Sequence, residues 1–419
     1  MAATRTTIDA ILKEFYEGAL RDQLNNEIKL FDKLKKSDRS FSGRRVVFPV
    51  HLGRNVGVGA RAESALLPAA GSQTPVECRI TAKYNYGRVD ITGQSIESGK
   101  HAFLDALGYE MDGLVSDFSF DMGRQSYGGG DGRLAQVSAD NDSASAITVH
   151  NKFARAGQPG ARYILQSQIL EFGTVASPSA ATIGSNAKVS TITIASDSGT
   201  TTDTITMISN SADISATIHF AFHYGAGGQD VEMKGLRALV DDLTQTNAWG
   251  SAYYSASSLN NIDRGTYGKW NANVDAASGV ERVIDSQLMQ KSFSKVKKES
   301  GKDVKMICGE YDVVDQFLDS VSADRRYASN NFDAGVSNLS YNGVPLVQDL
   351  LAPYNELYLL GDDCIKLYTM KDFGFEARDG SILKNVAGYD RWEAFFSHYG
   401  DIASDQPKAS MVIRDVLDR

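Results

Sequence analysis

The sequence predicts an α+β protein in which an extended hairpin and one long helix precede a small all-β insertion and a mixed helix–strand body. Three features predict this. Residues 76–91 alternate apolar and polar side chains, the period of a half-buried strand. Residues 95–127 place apolar side chains at a three-to-four rhythm, the period of a helix. Residues 173–218 hold only four charges (Lys188, Asp197, Asp203, Asp213) among many Ser, Thr, Ala and Gly, and their Thr/Ile alternation is that of short strands.

Taken in order, Ile8, Leu12, Phe15, Leu20, Leu24, Ile28 and Phe31 predict an amphipathic segment over 6–34. "KLKKSDRSFSGRR" follows, a basic stretch in an acidic chain. It reads as a solvated linker, as a strap on a neighbouring acidic surface, or as an arm touching nucleic acid. "RRVVFPVHL" predicts a strand with Phe48, Val50 and Leu52 on one face. In the return segment Val76, Cys78, Ile80, Ala82, Tyr84 and Tyr86 point one way, and Glu77, Arg79, Thr81, Lys83 and Asn85 the other. At ~3.3 Å per residue that strand spans roughly 40–50 Å. A two-stranded arm of such length is marginal alone, so its apolar stripe must rest on something.

The helix over 95–127 has Phe103, Leu104, Leu107, Met111, Leu114, Val115, Phe118 and Met122 on its stripe and Ser95 as N-cap. "SYGGGDGRL" follows it. A phosphate loop must precede a helix, where free N–H groups and the positive dipole end face the anion. Here the glycines come after, so they predict a helix stop and a flexible joint. Residues 138–224 predict the all-β module. Beyond it, "MKGLRALVDDLTQT" and "VERVIDSQLMQKSFSKVKKES" predict helices, "DVKMICG" a buried strand, and "EYDVVDQFLDSVS" a helix. "SYNGVPLVQD" and "NELYLLGDDCIKLYTM" predict strands, and the last segment a strand pair.

Bulk properties exclude several functions. A net charge of -9 opposes sequence-wide binding to nucleic acid or anionic membranes. Cys78, Cys308 and Cys364 are too far apart and too few for a disulfide framework or a CxxC metal site. No secretory signal and no run of ~18 apolar residues is visible, so a soluble protein is expected. His219 and His223 lie four apart in a strand-like segment, where they would stand about 13 Å from each other and hold no zinc. "GDDC" (361–364) reads as a turn. Arg325 and Arg326 read as an exposed loop, and Cys308 as a buried residue of an apolar strand. No GxSxG elbow occurs. No enzyme activity, cofactor or metal is expected.

The order of elements resembles the major capsid protein of tailed bacteriophages, whose fold is shared with encapsulins and the herpesvirus capsid floor. "YGRVDITGQSIESGKHAFLDALGYEMDGLVSDFSFDMGRQSYGGGDG" is similar to that family's passage from E-loop through spine helix. "GLRALVDD" with "GTYGKWNANV", and then "DVKMICGEYDVVDQFLDSVSADRRY", "YNGVPLVQDLLAPYNELYLLG" and "WEAFFSHYG", resemble its axial domain and return strands. The resemblance implies an N-terminal arm (1–43), an E-loop (44–92), a peripheral-domain spine helix (93–137), the inserted module (138–224), an axial domain (225–370) and a return to peripheral and axial strands (371–419).

It further implies self-assembly into the hexamers and pentamers of an icosahedral head that encloses double-stranded DNA. E-loop and N-arm would lap neighbouring subunits. Phe48, Val50, Arg61, Glu63, Arg79, Lys83, Tyr84, Arg88, Asp90 and Asp105 are then the expected subunit-interface residues, and Lys33, Lys35, Lys36 and Arg39 a candidate inner-surface basic arm. A separate scaffold, a portal and a decoration protein are the implied partners, and the virion, assembled in the host cytoplasm, the implied location. The Lys–Asn crosslink of some members is not carried over, because nothing identifies a partner for Lys83. Alternatives are an encapsulin-like or gene-transfer-particle shell, a soluble α+β enzyme with a β insertion, and a tail or decoration protein.

Overall fold

The computed structural model describes residues 29–39, 41, 43–94, 106–138, 141–142, 146–151, 161–173, 189–193, 203–207, 213–214, 220–223, 231–243, 258–278, 280–324, 340–377 and 382–417. The expected amphipathic segment before Lys29, Ser95, Asp105, His219 and Arg325–Arg326 lie outside them.

The hairpin forms from β1 (Arg45–Gly53) and β2 (Thr74–Thr81), paired antiparallel with Val46 opposite Ile80 and Phe48 opposite Cys78. Val46, Phe48, Cys78 and Ile80 are buried, and Val47 faces outward. The base of the hairpin leans on the chain's own body, where Arg79 N donates to Asn260 O at 2.9 Å. The single long return strand is not formed. β2 ends at Thr81, and β3 (Lys83–Thr92) pairs instead with a C-terminal strand. The register slips by one residue at Ala82–Lys83, where both residues are buried. A one-residue slip turns every later side chain to the opposite face. Tyr84 and Tyr86, expected on the Cys78 face, are therefore exposed, while Val89 and Ile91 point inward.

Helix α1 (Ala106–Tyr127) packs Phe118 and Met122 against Met233 and Phe396. The Phe118 and Phe396 ring centroids lie 4.9 Å apart, edge to face. Gly87 of β3 allows this approach, since a Cβ there would stand 2.9 Å from Leu114 Cδ1. The helix stops where the glycines begin, and Gly130 and Gly132 have φ values of +78° and +73° that favour glycine. The joint is not a loose one. Residues 128–132 are buried, with Asp131 paired to Arg133 Nε at 2.5 Å.

Next comes a six-stranded antiparallel sheet: β4 (Arg133–Val137), β5 (Ala146–Asn151), β6 (Leu170–Gly173), β7 (Val189–Thr193), β8 (Asp203–Met207) and β9 (Phe220–His223). Its spatial order is β6-β9-β4-β5-β8-β7. β4 is an inner strand of this sheet, so residues 133–137 belong structurally with the strands that follow them rather than with the helix before.

The chain then re-enters the body along 231–243, where only the turn Leu236–Leu239 is helical. The longer helix expected over 233–246 is absent among the described residues because 232–241 are all buried. Arg237 and Asp241 are drawn into ion pairs rather than facing water. Arg237 Nε lies 3.3 Å from Glu356, and Arg414 donates through both terminal nitrogens to Asp241 Oδ1 at 3.1 Å.

The third sheet contains β10 (Asn273–Asp275), β11 (Val304–Gly309), β12 (Val344–Gln348), β13 (Glu356–Gly361) and, at the far C-terminus, a strand at Met411–Arg414. Its order is β10, Met411–Arg414, β13, β11, β12 and the short edge Ser340–Tyr341. Helices α2 (Ser286–Ser300) and α3 (Tyr311–Asp324) cover it through Met289, Val296, Val313 and Phe317. α2 begins later than the sequence pattern suggests, because Asp285 caps it by accepting from Leu288 N at 2.7 Å. Gly301, at φ +76°, ends it.

A five-stranded sheet is built on β14 (Ile365–Phe375) and β15 (Arg391–Ser404), with β3 on the other edge of β15. β15 and the last strand, β16 (Met411–Arg414), do not pair with each other as expected. β15 lies in this sheet and β16 in the third, so the final segment ties the two sheets together.

Candidate inter-subunit surface

Between β1 and β2 the chain runs out as a 20-residue tip, 54–73, without regular secondary structure. A pinch near its base shapes it: Asn55 Oδ1 accepts from Gly57 N at 2.7 Å, and a Cβ on Gly57 would stand 2.8 Å from Gly71 N. Only glycine fits that crossing. At the far end Ala65 N donates to Ala62 O at 3.1 Å, and Arg61 Nε donates to Leu66 O at 3.1 Å. The tip thus satisfies part of its own backbone and turns its apolar side chains outward. Val56 is 89% exposed, Val58 83%, Leu66 90% and Leu67 79%. An isolated exposed leucine is ordinary; four exposed large aliphatics on one loop make it a candidate interaction surface.

Of the residues expected at an interface, Arg61 and Glu63 lie on this tip and are exposed. Val50 is half-buried. Arg79 pairs with Glu77 at 2.7 Å, and that hydrogen bond holds the Glu77 carboxyl below its usual range. Arg88 reaches Glu393 at 2.9 Å, and Asp90 is met by Arg391 at 3.0 Å. Phe48 and Lys83 are corrections: both are turned into the chain's own interior and present no surface to a neighbour. Lys83 and Lys234 lie beside Asp401, which is fully buried; burial raises the Asp401 carboxyl, and the two lysines oppose that shift.

Tyr84 is exposed and meets Tyr399 edge to face at 5.1 Å; Tyr86 meets the same ring at 5.6 Å. Lys371 lies over Tyr399, 5.2 Å from its centroid, and pairs with Glu376 at 2.8 Å. That hydrogen bond, with those from Ser397 and Tyr399, holds Glu376 down at about 2. Tyr84 is exposed as an interface residue must be, and Tyr86 joins it although the alternation, blind to the slip at Ala82, set both on the Cys78 face. The aliphatics of the tip were discoverable, since they stand out in a stretch of Gly, Ala and Pro.

The basic segment is strapped to this chain rather than free. Lys35 faces Asp363 at 3.6 Å, Lys36 pairs with Asp372 at 2.6 Å and Arg39 with Asp405 at 3.3 Å. Arg39 also lies over the Phe48 ring, 3.9 Å from its centroid. Lys33 is exposed. Lys35, Lys36 and Arg39 thus share their charge with the chain's own carboxylates while their side chains stay exposed. Upstream, Leu30 N donates to Asp349 Oδ2 at 2.9 Å, and the Tyr127 hydroxyl donates to the same oxygen at 3.1 Å. One buried carboxylate therefore fixes the arm to the end of α1.

Asp362 and Asp363 form the turn between β13 and β14, and the hydrogen bond from Lys366 holds the Asp363 carboxyl low. Among the described residues no group of three His, Cys, Asp or Glu side chains could hold a metal ion. Burial pushes the Cys308 thiol well up and the Cys78 thiol up to about 12, the behaviour of inert core cysteines. Among the described residues no helix is long and apolar enough to cross a membrane.

No family model matches the sequence, and no curated protein matches it. Solved structures do. The chain is similar to the capsid asymmetric unit of cyanophage A-1(L) at 13% identity and a TM-score of 0.60, covering 99% of each chain. It is similar to the capsid protein of the Myoviridae phage XM1 at 5% identity and a TM-score of 0.52, covering 97% of each. It is also similar to the capsid of a native GTA particle at 8% identity and a TM-score of 0.51, covering all of both chains. At these identities the likeness establishes the fold.

Proposed function

We propose that this chain is a major capsid protein that assembles into the hexamers and pentamers of an icosahedral phage head around double-stranded DNA. The observation that carries the proposal is the hairpin tip, whose four aliphatic side chains have no cover in their own subunit. A shell of repeated copies supplies that cover, and many weak contacts multiplied by symmetry hold it closed. On this reading 44–92 is the E-loop, α1 the spine helix, the β11–β13 sheet with α2 and α3 the axial domain, and the β14–β15 sheet the peripheral domain. The β4–β9 sheet is an insertion that projects from the shell or braces capsomers.

The role is structural. Arg61, Glu63, Tyr84, Arg88 and Asp90 remain the interface residues of this proposal, and Phe48 and Lys83 leave it. A scaffold, a portal and a decoration protein are its natural partners, and the virion its location. A gene-transfer-particle shell is the related reading, distinguished by what DNA the particle holds. Expressing the chain alone, sizing it and imaging the large fraction by negative stain tests the proposal. Ring-shaped capsomers or closed shells are expected. A monomer that persists at high concentration and with a co-expressed scaffold overturns it.

A further inference from the structure

The sequence has a second basic stretch, and the structure treats it differently from the first. Residues 290–305 hold six lysines (Lys291, Lys295, Lys297, Lys298, Lys302, Lys305) against Glu299 and Asp303. A cleft of about 720 Å³ opens there, between α2, the start of β11 and the turn leading into β12. Val304 and Val344 are buried in the core beneath it, so its apolar surface is the half-buried Phe293 ring and the exposed Pro345, set among Gln290, Ser294 and Asn342. Exposed lysines stand on its rim. Lys297 is answered by Asp303 at 2.8 Å. Lys298 and Lys305 have no ion-pair partner among the described residues, in contrast to Lys35, Lys36 and Arg39.

The turn that closes one end is rigid. Asn342 and Gly343 have φ values of +54° and +77°, the tight two-residue hairpin turn that fixes the strand edge beside the cleft. Phe293 is held against Tyr341, their centroids 5.4 Å apart. The recess is therefore preformed, which lowers the ordering cost of filling it. A nucleic-acid backbone is best held by an open row of cations. Here the cations Lys298 and Lys305 flank apolar surface offered by the half-buried Phe293 ring and the exposed Pro345. Carboxylates placed beside an apolar side chain match both features.

We propose that this cleft binds an acidic peptide segment of a partner protein. Its carboxylates pair with Lys298 and Lys305, and one apolar side chain rests on Phe293 and Pro345. The proposal rests on the shell reading only for the source of the peptide, an assembly factor; binding itself is a property of the unassembled chain.

The test uses the full chain and a fluorescent peptide of alternating Glu and Leu, followed by anisotropy. Its counterpart with Gln in place of Glu and a duplex DNA oligonucleotide serve as comparators. The expected result is saturable binding of the acidic peptide alone, weakened at least about tenfold in the double variant Lys298→Glu with Lys305→Glu. A second double variant, Lys269→Glu with Lys291→Glu, changes net charge equally but lies outside the cleft, and it should shift binding by less than about twofold. All four lysines are exposed, and circular dichroism checks that each variant is folded. Unchanged binding in the cleft variant, equal losses in both variants, or cleft-dependent binding of the DNA instead of the peptide overturns the proposal. Lost peptide binding with intact assembly counts against the cleft alone, and intact binding without assembly counts against the shell alone.

Discussion

His398 shows how a single side chain can carry the chain's acid sensitivity. Its ring stacks on Phe373 at 4.1 Å with the planes 7° apart, and both ring nitrogens are buried without a hydrogen-bond partner among the described residues. Burial lowers its pKa from 6.5 to about 4, with Asp372 opposing that shift and Lys36 adding to it. The unfolded chain takes up a proton below the ordinary value, while the folded one refuses it until about 4. The contribution to stability is therefore complete above pH 6.5 and is lost as pH falls through that window, by at most about 3 kcal/mol. Replacing His398 by Phe keeps the stack and removes the proton site. Urea unfolding of both proteins at about pH 7 and about pH 4 should show the wild type losing ground to the variant in acid. Parallel losses would mean that the imidazole titrates normally and the pocket is wetter than its geometry.

At the scale of elements, the end of α1 and the 231–243 segment meet in a tight seam. A Cβ on Gly235 would strike the Gln125 carbonyl oxygen and stand 2.5 Å from Gly128 N, both backbone atoms that cannot yield. Arg124 locks the same seam by pairing with Glu232 at 2.6 Å in a buried site. Gly235→Ala should therefore destabilise by more than the usual ~1–3 kcal/mol of overpacking. Gly87→Ala meets side chains, Leu114 most closely and then the Phe118 ring, rather than backbone, and should cost less. Thermal unfolding of the two variants side by side checks the order, and equal melting points would refute it. This seam also marks where sequence reasoning stopped. Periodicity located the hairpin, α1, α2, α3 and most strands, because each has one apolar face and one wet face. It failed over 233–246, where Arg237 and Asp241 are charged yet buried. It failed again at Ala82, where the chain changes sheet without any turn residue to announce it. Both failures come from long-range partners, Glu356 and Arg414 in the first case and β15 in the second, which local pattern cannot encode.

For the whole molecule, the question is whether the projecting hairpin belongs to the fold of one subunit or to the association of many. Its base is anchored at Asn260 and its lower strands are buried, so the fold reaches as far as Val50 and Val76. Beyond them Leu66 and Leu67 are almost as exposed as in an unfolded chain. Removing their apolar character should leave the subunit's own stability unchanged, while each side chain that becomes covered in an assembly contributes about 1.5–3 kcal/mol there. Leu66→Asp combined with Leu67→Asp should therefore raise the concentration needed for assembly by at least about a hundredfold. The melting temperature of the dissociated subunit should stay where it was. Sedimentation of the double variant against wild type, with thermal unfolding of both as monomers, separates the two effects. Unaltered assembly would place the subunit contact elsewhere on the chain. A lowered melting point would mean that the tip packs on its own subunit in solution. Loss of assembly with an intact fold would make the hairpin an element whose apolar side chains are completed only by another copy.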